Sequence, residues 1–264
     1  MRLSLSRDAP EKIAMRRLTA SSKRWFLGGG VLAIAAYVSY VGFTWCRYGR
    51  TTHLAGSKKG NLLEEVIAAY DVAEHQQIRV AAPADQTFWL ACNLRLFNSR
   101  LIRTIFKTRE FVLGGMSKEN REQRGLADQA KAWSWSALAK RPDREIVFGA
   151  ITQPWVANPV FRGLPLTEFR NFHEPGFVKI AWSLRADPVD ADNAIVSTET
   201  RVISTDATAY ARFRRYWAFL SPGIILIRLL ALRQVRAEAE RLKKDRLLPK
   251  ENRKIEAGDR PPVR

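Results

Sequence analysis

Three histidines, two cysteines and a few charged pairs are the side chains from which this sequence could build a reactive centre. His53, His75 and His173 lie far apart, with no second metal ligand at a standard spacing from any of them. There is no H-E-x-x-H, C-x-x-C, G-x-S-x-G or Walker pattern, so metal, dithiol, serine-elbow and P-loop chemistries lack a local signature. His173-Glu174, ahead of Pro175-Gly176, holds the groups of an acid–base pair, and it also reads as a polar turn. Glu199 and Arg201 share one strand face, opposite Thr198 and Thr200. With the threonine face inward they pair with neighbouring strands outside. With the register shifted by one they would line a pocket as a charged pair. Cys92 has apolar neighbours and reads as a small core residue rather than a nucleophile. Cys46 ends an apolar run, and Trp45 occupies the place where a lipoprotein signal needs a small residue. No catalytic residue, metal site or cofactor is assigned from these residues.

The elements that would position such groups are clearest from residue 177 onward. In FVKIAWSLRA, Val178, Ile180, Trp182 and Leu184 alternate with Lys179, Ala181, Ser183 and Arg185, the period of two expected of a strand. DPVDADN is a turn, and AIVSTETRVIS then sets Val196, Thr198, Thr200 and Val202 on one face. Asp206 or Thr205 is placed to cap a helix carrying Tyr210, Phe213, Trp217 and Leu220 at spacings of three and four. Such an aromatic helix needs a sheet to lie on, and the expectation is that it closes the concave side of one. Ser221-Pro222 suits a helix restart, with a second apolar half through Leu232 broken by Arg228.

Earlier in the chain, Gln76, Ile78 and Val80 mark a first strand, and Pro83 opens a helix with Phe88, Leu90, Ala91 and Leu94 inward. A further helix runs from about Ser99 to Phe111 and stops at Gly114-Gly115. Residues 116–131 read as an exposed polar segment. Trp133–Ala139 and Glu145–Ile151 read as strands, joined by Arg141-Pro142-Asp143-Arg144 as a type I turn. Residues 152–175 read as loops with a short helix and an edge strand.

The chain has 264 residues, and its apolar share of 46% suits a packed core rather than disorder. Its net charge of +18 sits mostly at the ends. Residues 1–24 carry seven Lys/Arg against two acids, and residues 233–264 carry eleven against six. Basic flanks around a mildly basic core suit contact with anionic lipid and argue against a nucleic-acid groove. Between the flanks, Trp25 to Cys46 runs twenty-two residues without a charge. As a helix it reaches about 33 Å, enough for a hydrocarbon core of about 30 Å. Trp25, Phe26, Tyr40 and Trp45 lie near its ends, where interfacial aromatics collect. Arg47 follows the run with no small-x-small cleavage site, which favours an uncleaved single-pass anchor over a signal peptide. The excess of Lys/Arg before the span places the globular part on the extracytoplasmic side of a cell membrane. The expected organisation is a basic segment (1–24), a transmembrane helix (25–46), a linker (47–69), a globular domain (70–244) and a charged tail (245–264).

Strand, two short helices, a run of antiparallel strands and a long C-terminal helix, together with GFVKIAWSLRAD, STETRV-x-x-TD and FRRYW-x-x-x-SPG-x-x-x-IR, resemble the SRPBCC superfamily of START-like and polyketide cyclase/dehydrase-like proteins. The resemblance covers roughly residues 70–240 and extends to bacterial members with an N-terminal anchor. It implies an α+β helix-grip fold, a curved antiparallel sheet around the C-terminal helix. Five or six strands are expected here against seven in fuller members. It also implies an apolar cavity for a hydrophobic or amphipathic small molecule, such as a lipid, quinone or polyketide. Candidate cavity residues are Phe148, Trp155, Trp182, Thr198, Thr200, Phe213 and Trp217, each of which also suits plain core. Two alternatives stay open. One is a cyclase- or hydrolase-like enzyme using His173, Glu174 or Glu199, and the other is a structural or assembly protein at the membrane.

Overall fold

The computed structural model describes residue 32 and residues 35–46, 60–96, 99–113 and 124–247. The chain divides into two units, residues 1–49 and 50–264. In the first, residues 35–46 form helix α1, with Tyr37, Val38, Phe43 and Trp45 exposed. The rest of the expected 25–46 span, apart from Leu32, and the basic segment before it lie outside the described residues, as do most of the linker and residues 248–264 of the tail.

The second unit is α+β. Five strands, β1 (Val72–Val80), β2 (Ser136–Arg141), β3 (Glu145–Thr152), β4 (Val178–Pro188) and β5 (Ala194–Ser204), form one antiparallel sheet in the order β1-β5-β4-β3-β2. Helices α2 (Leu62–Val66), α3 (Ala84–Cys92), α4 (Arg100–Leu113), α5 (Leu126–Ala132), α6 (Leu166–Asn171) and α7 (Ala207–Leu247) surround it. The β4–β5 hairpin provides the register. Trp182 faces Thr200, and Leu184 faces Thr198, so the alternation seen in the sequence becomes one continuous inward face.

Both faces of the sheet are covered. Ile146, Phe148, Leu184, Ala186 and Val196 pack with Phe88 and Ala91 of α3 and with Leu232, Val235 and Ala239 of α7. Val147, Ile151 and Ala181, of the opposite parity, pack with α2 and with Phe169 of α6. This is why all eight residues of β3 are buried. A five-stranded sheet with a long C-terminal helix laid along one face is consistent with a helix-grip fold.

Three local expectations need correction. Helix α7 does not restart at Ser221-Pro222; it runs 41 residues with Pro222 inside it. Packing on both sides holds it through the lost backbone donor. The sheet lies on one side, and α4 reaches Gly223, where a Cβ would stand 3.0 Å from Ile105. Residues 124–132 are not an exposed coil, because α5 forms there and buries Gln129 and Ala130. The helix has only Leu126 and three alanines as apolar residues to announce it, and its N-cap is Gly125. Lastly, Arg144 N–H donates to Arg141 C=O at 3.2 Å, but Asp143 has φ 52°, a left-handed third residue that type II turns need and type I turns lack.

Asp206 caps α7 as expected: its Oδ1 accepts from Thr208 N at 2.7 Å and Ala209 N at 2.9 Å, and its Oδ2 accepts from Gly176 N. One carboxylate therefore fixes both the start of the helix and the loop entering β4. Helix α2 is secured differently. Asn61 caps it, and the fully buried Glu145 of β3 accepts from Leu62 N at 3.2 Å. Burial raises the Glu145 pKa above its ordinary 4.5, against the opposing pull of that hydrogen bond and of Arg185 and Arg141.

Candidate functional site

The inward faces of β4 and β5 and the facing side of α7 do not close completely. They leave a cavity of about 290 Å³, near the low end of the roughly 300–1,000 Å³ usual for small-molecule sites. Trp182 from β4, Thr198 and Thr200 from β5, and Phe213 and Trp217 from α7 all line it. Strand alternation brings the first three to one face, and the i, i+4 spacing of Phe213 and Trp217 brings the last two, with ring centroids 5.8 Å apart.

The other two candidates are elsewhere. Phe148 is fully buried and does not line the cavity; it stands beside Trp182 as its cross-strand partner, the rings stacked at 4.9 Å. Trp155 lies half-buried in the turn after β3, away from the lining, to which its neighbour Pro154 does contribute. Sequence alternation could not place Phe148, because a strand buried on both faces shows no inside or outside.

The groups weighed for proton transfer are not brought together. His173 and Glu174 are exposed, and Glu174 pairs with Arg162 at 3.0 Å. Glu199 lies on the face away from the cavity, 2.7 Å from Arg201 and 3.6 Å from His75. Arg201 is not an outside residue either. It is 2% exposed beneath α2, 2.5 Å from Glu64, and its guanidinium lies 4.7 Å from the centre of the Tyr70 ring. Cys92 packs against the core. Burial pushes its thiol up to about 11, with Lys140 opposing and Asp128 adding slightly, so it is a poor nucleophile.

Several lining residues were not singled out in the sequence. Trp135 and Phe161 stack at 5.3 Å, and Trp135 meets Trp182 edge-on at 6.3 Å, extending the aromatic wall. The most consequential is Arg228. It is the one charged side chain lining the cavity among the described residues. Its guanidinium donates to Thr200 Oγ1 and, at 3.3 Å, to the Glu74 backbone carbonyl. The side chain is half-buried, and removal from water holds its pKa down to about 10, with Glu74 opposing, which leaves it cationic at neutral pH. The trace available in the sequence was a lone charge inside IILIRLLAL.

No protein-family model and no curated protein matches the chain. Among solved structures it is similar to a hypothetical protein from Helicobacter pylori, at TM-score 0.32 and 6% identity, over 67% of this chain and 93% of that one. It is also similar to the di-domain ARO/CYC BexL from the BE-7585A biosynthetic pathway, at TM-score 0.23 and 17% identity, over 63% of this chain and 46% of BexL. A third is the Zhui aromatase/cyclase from Streptomyces sp. R1128, at TM-score 0.23 and 13% identity, over 64% and 94%. The chain spans about half the length of BexL. Overlaps this loose carry no weight for the site, which stands on its own geometry.

Proposed function

We propose that this chain is a membrane-anchored SRPBCC-type domain that holds one hydrophobic or amphipathic small molecule between its sheet and α7, without transforming it. The observation that carries the reading is the cavity lined by Trp182, Thr198, Thr200, Phe213 and Trp217, a mostly apolar wall with a few hydroxyls. Its described lining contains no carboxylate, imidazole or thiol, and its polar groups include the Thr198, Thr200 and Tyr216 hydroxyls and Arg228.

Ala231 of α7 is part of the wall, and a larger side chain there occupies the space a ligand would take. Ala231→Phe is expected to weaken binding of an environment-sensitive apolar dye by about tenfold or more, while the far-ultraviolet spectrum is unchanged. Equal dye affinity in the two proteins would defeat the reading.

The anchor is assigned to residues 25–46, with the globular part outside the cytoplasm. Among the described residues α7 is also long and apolar enough to cross a bilayer by length and composition. Packing on the sheet supports a different role for it: Phe213, Trp217, Leu232, Val235 and Ala239 are buried there, although 22% of its most apolar stretch is buried in all. Alkaline phosphatase fused after residue 264 is expected to be active in intact bacteria, and removal of residues 25–46 should abolish that activity. An inactive fusion of the full chain would reverse the orientation.

A further inference from the structure

Arg228 is out of place in an apolar cavity unless something there balances it. A cation taken from water is stable only when it is paired or fully hydrogen-bonded. Here two of the five guanidinium N–H groups are engaged, one by a hydroxyl and one by a backbone carbonyl. Both partners are neutral. No ion pair forms to Arg228 among the described residues, whereas Arg185 and Arg201 in the same fold have two carboxylates each. Glu74, the acid that acts on Arg228 from a distance, is itself engaged by Gln76 at 2.8 Å.

Position strengthens the point. The guanidinium reaches β1, an edge strand of the sheet, and holds Thr200 from the cavity side. It shares the cavity lining with Trp217, Ile224, Ile227 and Val202. A planar fork of donors matches a carboxylate or phosphate, which accepts two parallel hydrogen bonds. The volume suits one slender apolar body and not both tails of a two-chain lipid.

We propose that Arg228 is the head-group contact of the cavity, and that the ligand is an amphipathic anion. Its single acyl chain or comparably slender apolar body lies along Trp182 and Trp217, and its carboxylate or phosphate meets the guanidinium. This rests on the cavity-binding reading above and narrows it.

The test uses the full chain in phosphatidylcholine nanodiscs, with empty nanodiscs as the blank. Binding of a conjugated-polyene C18 fatty acid is followed by energy transfer from tryptophan and compared with the C18 alcohol of the same chain. The wild type is expected to prefer the acid by about tenfold or more, the strength of a hydrogen-bonded charge contact. Arg228→Met should erase that preference and leave alcohol binding within about twofold, which also reports that the variant is folded. Arg228→Lys should keep a preference of the same sign. Displacement by dodecyl phosphate and by laurate then assigns the head group to whichever competes at lower concentration. Equal binding of acid and alcohol by the wild type, or a preference that survives Arg228→Met, overturns the proposal and leaves the cavity reading standing. Failure of both probes to bind overturns the cavity reading with it.

Discussion

Replacing Arg201 with methionine is expected to lower the unfolding free energy by about 3–5 kcal/mol, the usual consequence of removing one partner from a buried ion pair. The side chain is 2% exposed and makes three contacts that no neutral residue reproduces. Nε donates to Glu199 Oε1 at 2.7 Å, and Nη1 donates to Glu64 Oε2 at 2.5 Å and to the Ile67 carbonyl at 3.0 Å. Methionine keeps the bulk over Tyr70 and leaves two carboxylates without their cation. The same contacts join α2 to the sheet, so the loss extends beyond one residue. A drop in melting temperature on the order of 10 °C follows for a domain of this size.

The pH dependence has a definite sign. Burial opposes ionisation of Glu199, but His75 and Arg201 overcome it and hold the carboxyl below its ordinary 4.5. Its contribution is therefore present above 4.5 and is lost as the pH falls through the depressed value. The stability gap between wild type and Arg201→Met should narrow over that acid range. Urea unfolding at neutral pH and at successively lower pH reads both effects. A gap under about 1 kcal/mol at neutral pH, the scale of an exposed ion pair, would show that the network is not buried in solution.

Phe148→Ala should be nearly as damaging, at about 3–5 kcal/mol, because the ring is fully buried and stacked on Trp182. Its second expected effect separates core from cavity. Since Phe148 does not line the cavity, the folded variant should still bind an apolar dye, whereas Ala231→Phe should remain stable and lose binding. If Phe148→Ala kept its stability and abolished binding, the ring would belong to the ligand wall after all.

How much of this was legible depended on whether a residue's role was set locally. The β4–β5 hairpin was readable because each strand has one polar and one apolar parity, and a period of two follows from backbone geometry alone. Trp182, Thr198, Thr200, Phe213 and Trp217 could be grouped from that periodicity and the helical spacing. Asp206 could be read as a cap for the same local reason. Phe148 could not be placed, since every residue of β3 is buried and parity says nothing there. Trp155 sits in a turn, where no period applies.

Two further misses were tertiary. Pro222 carries a strong local stop, yet α7 passes through it because the sheet and α4 hold both sides. Arg228 looked like an interruption of an apolar helix. Its meaning depends on facing Thr200 and the carbonyl of Glu74, residues 28 and 154 positions away along the chain. Glu64 and Tyr70 gave no hint that a buried arginine would rest between them.

The most direct measurement is a crystal structure of the protein grown with a fatty acid brominated at the chain terminus, with the bromine located by anomalous scattering. One strong peak is expected inside the space bounded by Trp182, Thr198 and Trp217, with the carboxylate end directed to Arg228. A bromine found solely on the outer surface, or side chains packed across that space with no room for it, would contradict the reading of this fold as a ligand carrier.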